Sequence, residues 1–232
     1  NMNTNEVLCN RALGILGDKK GNYDRISPNN HANMAQSTND AFPTAIKVCS
    51  IQKGRLLVKA LRELAEALEV KAEKFKRVMK MGRTHLQDAV PVTLGQEFAS
   101  HASAVRRGAK RIETALDQLH AVNMGATAVG TGLNAEPEYI VEVAKQLAEI
   151  TGEPFVTAGN LMDATQNTDG FADISGAMKI TALPLIKMAN DFRLMASGPR
   201  CGLGELKLPP RQPGSSIMPG KVNPVIPEVV SQ

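Results

Sequence analysis

The 232 residues are 43% hydrophobic and 22% charged, with a formal net charge of +4. That balance suits one globular domain, or one and a half, and excludes a disordered chain. It also lacks the basic runs of a nucleic-acid binder, any apolar stretch near the ~18 residues of a membrane span, and the pattern of a signal peptide.

Aromatic residues make up 3% of the chain and Trp is absent, so the core must be built from Leu, Ile, Val, Ala and Met. Cys9, Cys49 and Cys201 are isolated thiols with no C-x-x-C spacing, which points to a reducing, cytoplasmic compartment rather than to disulfides or zinc. The weak positive charge slightly favours the approach of small anions. The chain opens in mid-motif at "NMNTNEVLCN" and stops inside what reads as a helix start, "PEVVSQ", so an excerpt of a longer chain is expected.

In chain order, Asn3 and Glu6 read as the cap of a short helix that runs to about Gly17. The Asn-, Ser-, Gly- and Asp-rich segment after it reads as loop. A long helix is predicted from about Pro43 to Val78, with Leu57, Leu61, Leu64, Leu68 and Phe75 as its apolar stripe. Thr93 and Gln96 form a capping box for a second long helix ending near Met124, with a stripe of Phe98, Ala102, Val105, Ala109, Ile112, Leu116 and Leu119. The Gly-rich "GATAVGTGLN" reads as a turn. A shorter helix then spans about Pro137 to Ile150, and a third long one spans about Ala164 to Ala196 with a kink expected at Pro184. The remaining Gly- and Pro-rich run, which contains "GSSIMPGKVNP", is a long loop of the kind that is usually functional when ordered.

Three polar clusters stand at helix boundaries: "QSTND" (Gln36 to Asp40), "MGRTHLQD" (Met81 to Asp88), and the Gly214 to Pro224 loop. Hydroxyls, amides and unpaired backbone N–H groups at such places suit carboxylates. Each cluster also has a plain reading. "QSTND" is first of all a helix cap, and His85 alone would be a structural histidine. "GTGLN" matches neither nucleotide-loop pattern. His101 and His120 read as partnerless mid-helix packing or surface residues. No metal cage and no cofactor motif is evident.

Taken together, "GSSIMPGKVNP", "QSTNDAFPT", "KMGRTHLQDAVPVTLGQEF" and "MGATAVGTGLN" resemble, in content and order, the aspartase and fumarase branch of the superfamily that eliminates fumarate from succinyl compounds. The resemblance covers essentially the whole chain. It implies an all-α fold, an elongated bundle of long helices that assembles through the bundle into a homotetramer, with three subunits supplying each active site. It divides the chain into residues 1–38, the end of an N-terminal helical domain, and 39–232, part of the central bundle. Thr38 and "NPVIPEVV" resemble aspartases more than class II fumarases. Ammonia elimination from L-aspartate is therefore expected, with fumarate hydration, a catalytically incompetent fragment or a structural homologue as the alternatives.

By position-for-position comparison the resemblance makes Ser215 the catalytic base and gives Lys221 and Asn223 the α-carboxylate, with Thr84 nearby. It implies that Ser37, Thr38 and the backbone around Ser216 hold the β-carboxylate, and that Asn39 and His85 contact the departing amino group. The family's further Thr or Ser just upstream of "NMN" falls before residue 1. Gly132 and Asn134 are expected in a supporting turn. The implied partner is a small dicarboxylate, with no nucleic acid and no membrane. Pro184 interrupts a helix that the family keeps continuous.

Overall fold

A computed structural model describes residues 1–232. The structure is mostly helical, as expected, and three of its helices are long. The elements are α1 (Met2–Ile15), α2 (Thr38–Lys74), β1 (Met79–Thr84), β2 (Gln87–Thr93), α3 (Leu94–Asp117), β3 (Ala121–Val122), α4 (Pro137–Thr151), β4 (Val156–Thr157), α5 (Leu161–Gln166), α6 (Asp169–Met195) and α7 (Val225–Ser231). The chain forms two compact units, Asn1–Arg55 with Thr114–Asp173, and Leu56–Glu113 with Ile174–Gln232. No helix is long and apolar enough to cross a membrane.

In the first unit, α1 starts one residue before the expected cap. Asn1 holds the N-cap position without a side-chain capping bond, so Asn3 is a helical residue. The helix buries Asn5, Cys9 and Leu13, and the buried Asn5 amide donates to Asn33 Oδ1 at 2.9 Å. The loop that follows contains one short π-helical turn, Pro28–Ala32, capped by Ser27 Oγ accepting from Asn30 N. Helix α4 matches its expected span and ends at Gly152, whose φ of 71° is the left-handed cap that glycine tolerates.

Helix α2 begins at Thr38, five residues before Pro43, and its 37 residues give a length of about 55 Å. Its buried positions fall at Asp40, Thr44, Ile51, Gly54, Val58, Leu61, Ala65 and Leu68. The predicted stripe was therefore partly misphased: Leu61 and Leu68 are buried, but Leu57 lies on the flank, 37% exposed. The reason is that small residues occupy the seam. A Cβ on Gly54 would sit 2.6 Å from the Leu116 side chain, so close helix approach there requires glycine.

Helix α3 ends at Asp117, short of the expected Met124, and a 3-10 turn, Gln118–His120, carries the last residue of the predicted stripe; all seven stripe positions, from Phe98 to Leu119, are buried. The capping box forms as read, with Thr93 N donating to Gln96 Oε1 at 2.9 Å and Gln96 N to Thr93 Oγ1 at 3.1 Å. Inside the second unit, a Cβ on Gly95 would meet Ala72 O at 2.4 Å and the Lys76 backbone at 2.7 Å, whereas nothing lies within 4 Å of one on Gly176 in α6. Substituting Ala for a mid-helix glycine normally stabilises by about 0.5–1 kcal/mol. Gly176→Ala is expected to show that gain in denaturant unfolding. Gly95→Ala is expected to lose about 1–3 kcal/mol, because backbone cannot yield as a side chain can. Equal effects at the two sites would contradict the close approach.

Three features differ from the sequence reading. The segment before α3, where no strand was read, is a β-hairpin, and β3 pairs in parallel with β4 (Ala121↔Val156, Val122↔Thr157). The helix expected from Ala164 is two helices. Asn167, in extended backbone, stops α5, and the Thr168 carbonyl starts the next helix by accepting from Phe171 N and Ala172 N. Pro184 lies inside α6, as read, and the helix runs unbroken from Asp169 to Met195.

Candidate active site

Ser37, Thr38 and Asn39 form the N-terminus of α2 in the first unit. The capping expectation holds in detail: Ser37 Oγ accepts from Asn39 N at 3.1 Å, and Ser37 N donates to Asp40 Oδ1 at 2.9 Å. With an acceptor site of its oxygen used in this way, the Ser37 hydroxyl keeps its proton to donate. Pro43, inside the helix, has no N–H, so the Asn39 carbonyl four residues earlier lacks its helical partner. Asn123 Nδ2 takes that place at 3.0 Å, and also donates to Thr165 Oγ1 at 3.1 Å. The Asn39 side chain donates through Nδ2 to Ala128 O at 2.8 Å, which leaves Oδ1 to accept. The turn that receives these contacts contains Gly132 and Asn134, both at positive φ (69° and 68°), as the supporting-turn reading expected.

Thr84 and His85 lie at the tip of the hairpin in the second unit. Thr84 pairs with Gln87, so His85 and Leu86 are the two turn residues, with φ of 52° and 62°. Two-residue hairpins favour such backbone but normally fill it with Asn-Gly. A His-Leu pair held there stores about 1–3 kcal/mol of strain per residue, the kind of cost that concentrates at functional positions. A bulge in β2, where Ala89 and Val90 face Gly82, re-aims the tip.

The hairpin is fixed by charge. Arg83 donates to both carboxylate oxygens of Glu205, at 2.5 and 2.8 Å. Lys80, with only 8% of its side chain exposed, bridges Glu205 Oε2 at 2.8 Å and both Glu97 oxygens at 2.9 Å. The Arg83 bond, with Lys80 adding to it, holds the Glu205 carboxyl at a pKa of about 2. Glu205 lies in the chain leading to the Gly214–Pro224 loop, where its own N–H donates to Met195 O at 2.8 Å.

The loop itself folds back on its own backbone. Ser215 and Met218 form an antiparallel bridge, Lys221 N donates to Met218 O at 3.2 Å, and Gly214 (φ 84°) comes so near that a Cβ there would lie 2.6 Å from Lys221 O. Ser215 and Lys221 are thus carried on touching strands of one closed loop. Ser216 and Lys221 are exposed, and Ser215 and Asn223 are half-buried. No hydrogen bond joins Thr84 or His85 to the loop residues.

His101 and His120 are not partnerless, contrary to their sequence reading. Both are 8% exposed. His120 shares Glu153 with Arg55 through a 3.0 Å contact, and His101 Nε2 lies 3.6 Å from Asp191 Oδ2. Burial lowers the His101 pKa, with Asp191 opposing the shift. His101 and Asp191 line a cavity of about 350 Å³ with Arg83, His85, Glu97 and Lys187. No group of three or more His, Cys, Asp or Glu is placed to hold a metal ion.

Asp40, Arg83 and Glu205 were not singled out by the sequence. Their partners lie 87 and 122 residues away, and a lone charge in a cap or loop carries no local signal of such a partner.

The chain is 56% identical to the aspartate ammonia-lyase of Bacillus subtilis over 232 residues, all of this chain and 49% of the relative. It is 53% identical to a class II fumarate hydratase of Neisseria meningitidis over 225 residues, covering 97% of this chain and 49% of the relative. The crystal structure of a fumarate lyase:delta crystallin from Brucella melitensis superposes with a TM-score of 0.94 at 49% identity, over 99% of this chain and 50% of that one. A class II fumarase from Schistosoma mansoni gives 0.90 at 36% identity, over 99% and 51%. The chain thus spans about half the length of the curated relatives it matches. A family model described as "Lyase" matches residues 1–232, and the chain belongs to that lyase family.

Proposed function

We propose that the full-length protein carrying these residues eliminates ammonia from L-aspartate to give fumarate. The observation that carries the reading is the closed Gly214–Pro224 loop, which brings a serine and a lysine onto adjacent backbone. Ammonia elimination requires removal of a very weakly acidic proton beside a carboxylate, then stabilisation of the doubly charged enediolate. Ser215 takes the β-carbon proton, and Lys221 supplies fixed positive charge that favours its alkoxide. Lys221, Asn223 and Thr84 hold the α-carboxylate. Ser37, Thr38 and Ser216 hold the β-carboxylate, supported by the donor-ready Ser37 hydroxyl and the N–H groups that open the long helix α2. Asn39 accepts from the amino group through Oδ1, and His85 assists its departure.

The protein works as a homotetramer with each site assembled from three subunits. The aspartase reading is favoured over fumarate hydration by Thr38, by "NPVIPE", and by the aspartate ammonia-lyases among the relatives at 50–56% identity. The absorbance of fumarate is expected to rise when the full-length protein is given L-aspartate, and to rise slowly or not at all with L-malate. Efficient malate turnover without aspartate turnover would reverse the assignment.

A further inference from the structure

Asp40 has no exposed surface, yet it is a carboxylate at the foot of an otherwise helical seam. Each of its oxygens meets one backbone N–H. Oδ1 accepts from Ser37 N at 2.9 Å, closing the cap, and Oδ2 accepts from Thr127 N at 2.9 Å, in the Gly-rich turn 87 residues away. Thr127 sits at φ 57°, a left-handed backbone that a β-branched residue adopts only when its surroundings compel it. The next residue, Ala128, supplies the carbonyl that accepts from Asn39 Nδ2. One buried carboxylate therefore grips both sides of this contact: the helix start bearing Ser37, Thr38 and Asn39, and the strained turn that determines which end of the Asn39 amide faces outward. Nearby, burial raises the pKa of the Tyr139 phenol, and the charge of Asp40 adds to the shift.

We propose that Asp40 is a positioning residue for the substrate-binding segment Ser37–Asn39. It holds the left-handed Thr127 turn so that Ala128 O fixes Asn39 with Oδ1 presented to the amino group. The inference rests on the aspartate reading above for its effect on turnover, but not for its effect on the backbone. Asn at position 40 would turn an NH2 toward one of the two N–H donors, so one of the two grips must be lost.

The test compares Asp40→Asn with wild type in the full-length protein by two measurements. Amide hydrogen exchange is expected to quicken at Ser37, Asn39 and Thr127 while the middle of α2 keeps its protection. The kcat/KM for L-aspartate is expected to fall about 10- to 100-fold, the loss of one hydrogen bond to a charged group, with KM raised. Adding Thr127→Gly to Asp40→Asn is expected to restore part of that loss, because glycine adopts φ 57° without strain. A purely structural role would lower the melting temperature but leave kcat/KM and KM unchanged below it, and would gain nothing from the glycine. Unchanged exchange at the three amides, or exchange altered equally along α2, overturns the proposal whatever the substrate. If wild type fails to deaminate aspartate while the three amides respond as expected, the aspartate reading falls and the positioning role stands.

Discussion

Ser215→Ala is expected to lower kcat for aspartate deamination by about 10²- to 10⁴-fold, the range of a lost general base, while aspartate still binds. Lys221→Ala is expected to raise KM as well as lower kcat. The difference follows from when each group acts. A base contributes only as the proton moves, whereas an ammonium paired with a carboxylate contributes to ground state and transition state alike. The loop geometry makes the pair testable one at a time, since the Gly214–Lys221 approach and the Ser215–Met218 bridge are backbone contacts that neither substitution removes. Steady-state kinetics with equilibrium binding of succinate distinguish the two variants. Near-normal turnover by Ser215→Ala would remove it as the base, and an unchanged KM in Lys221→Ala would remove the carboxylate contact.

How much of the structure could be read from the sequence depended on whether the signal was local. The stripe of α3 was legible at every position because a stripe residue recurs at steps of three and four without exception, so its period stands out. The seam of α2 was not, because Gly54 and Ala65 occupy contact positions, while Leu57 advertises a face that is partly exposed. The capping box at Thr93 and Gln96 was legible because both halves lie within four residues. The hairpin carrying Thr84 and His85 escaped notice because its turn residues are the wrong ones for a turn. His85 and Leu86 contradict the local rule, and such contradictions are expected where function competes with ease of folding. The same holds for the polar clusters: their residue types were legible, but not the long-range bonds that hold them, from Asp40 to Thr127 and from Arg83 to Glu205.

Glu205→Gln is expected to be strongly destabilising in the second unit, because it leaves Arg83 without its fork partner and Lys80 with Glu97 alone. Both cations are largely buried, so the loss is that of breaking a buried pair from one side, about 3 kcal/mol. Depression of the Glu205 carboxyl from an ordinary 4.5 to about 2 has the same cause, the Arg83 and Lys80 bonds, and corresponds to a contribution of the same order. The sign is that of a carboxylate whose pKa is lowered by folding. Its contribution is fully present above the unfolded value near 4.5 and is lost as the pH falls through about 2. Chemical denaturation of wild type and Glu205→Gln at a series of pH values should therefore give a constant gap from neutrality down to about pH 5, narrowing toward pH 2. A gap that stayed constant into acid would mean that the Glu205 charge contributes nothing. A gap absent at pH 7 would mean that Arg83 and Lys80 find other partners when Glu205 is neutral. Because Arg83 directly precedes Thr84 at the strained tip, the variant should also lose kcat at temperatures where it remains folded. The His-Leu turn is then held in left-handed backbone only by the bulge and the ladder of its own short hairpin.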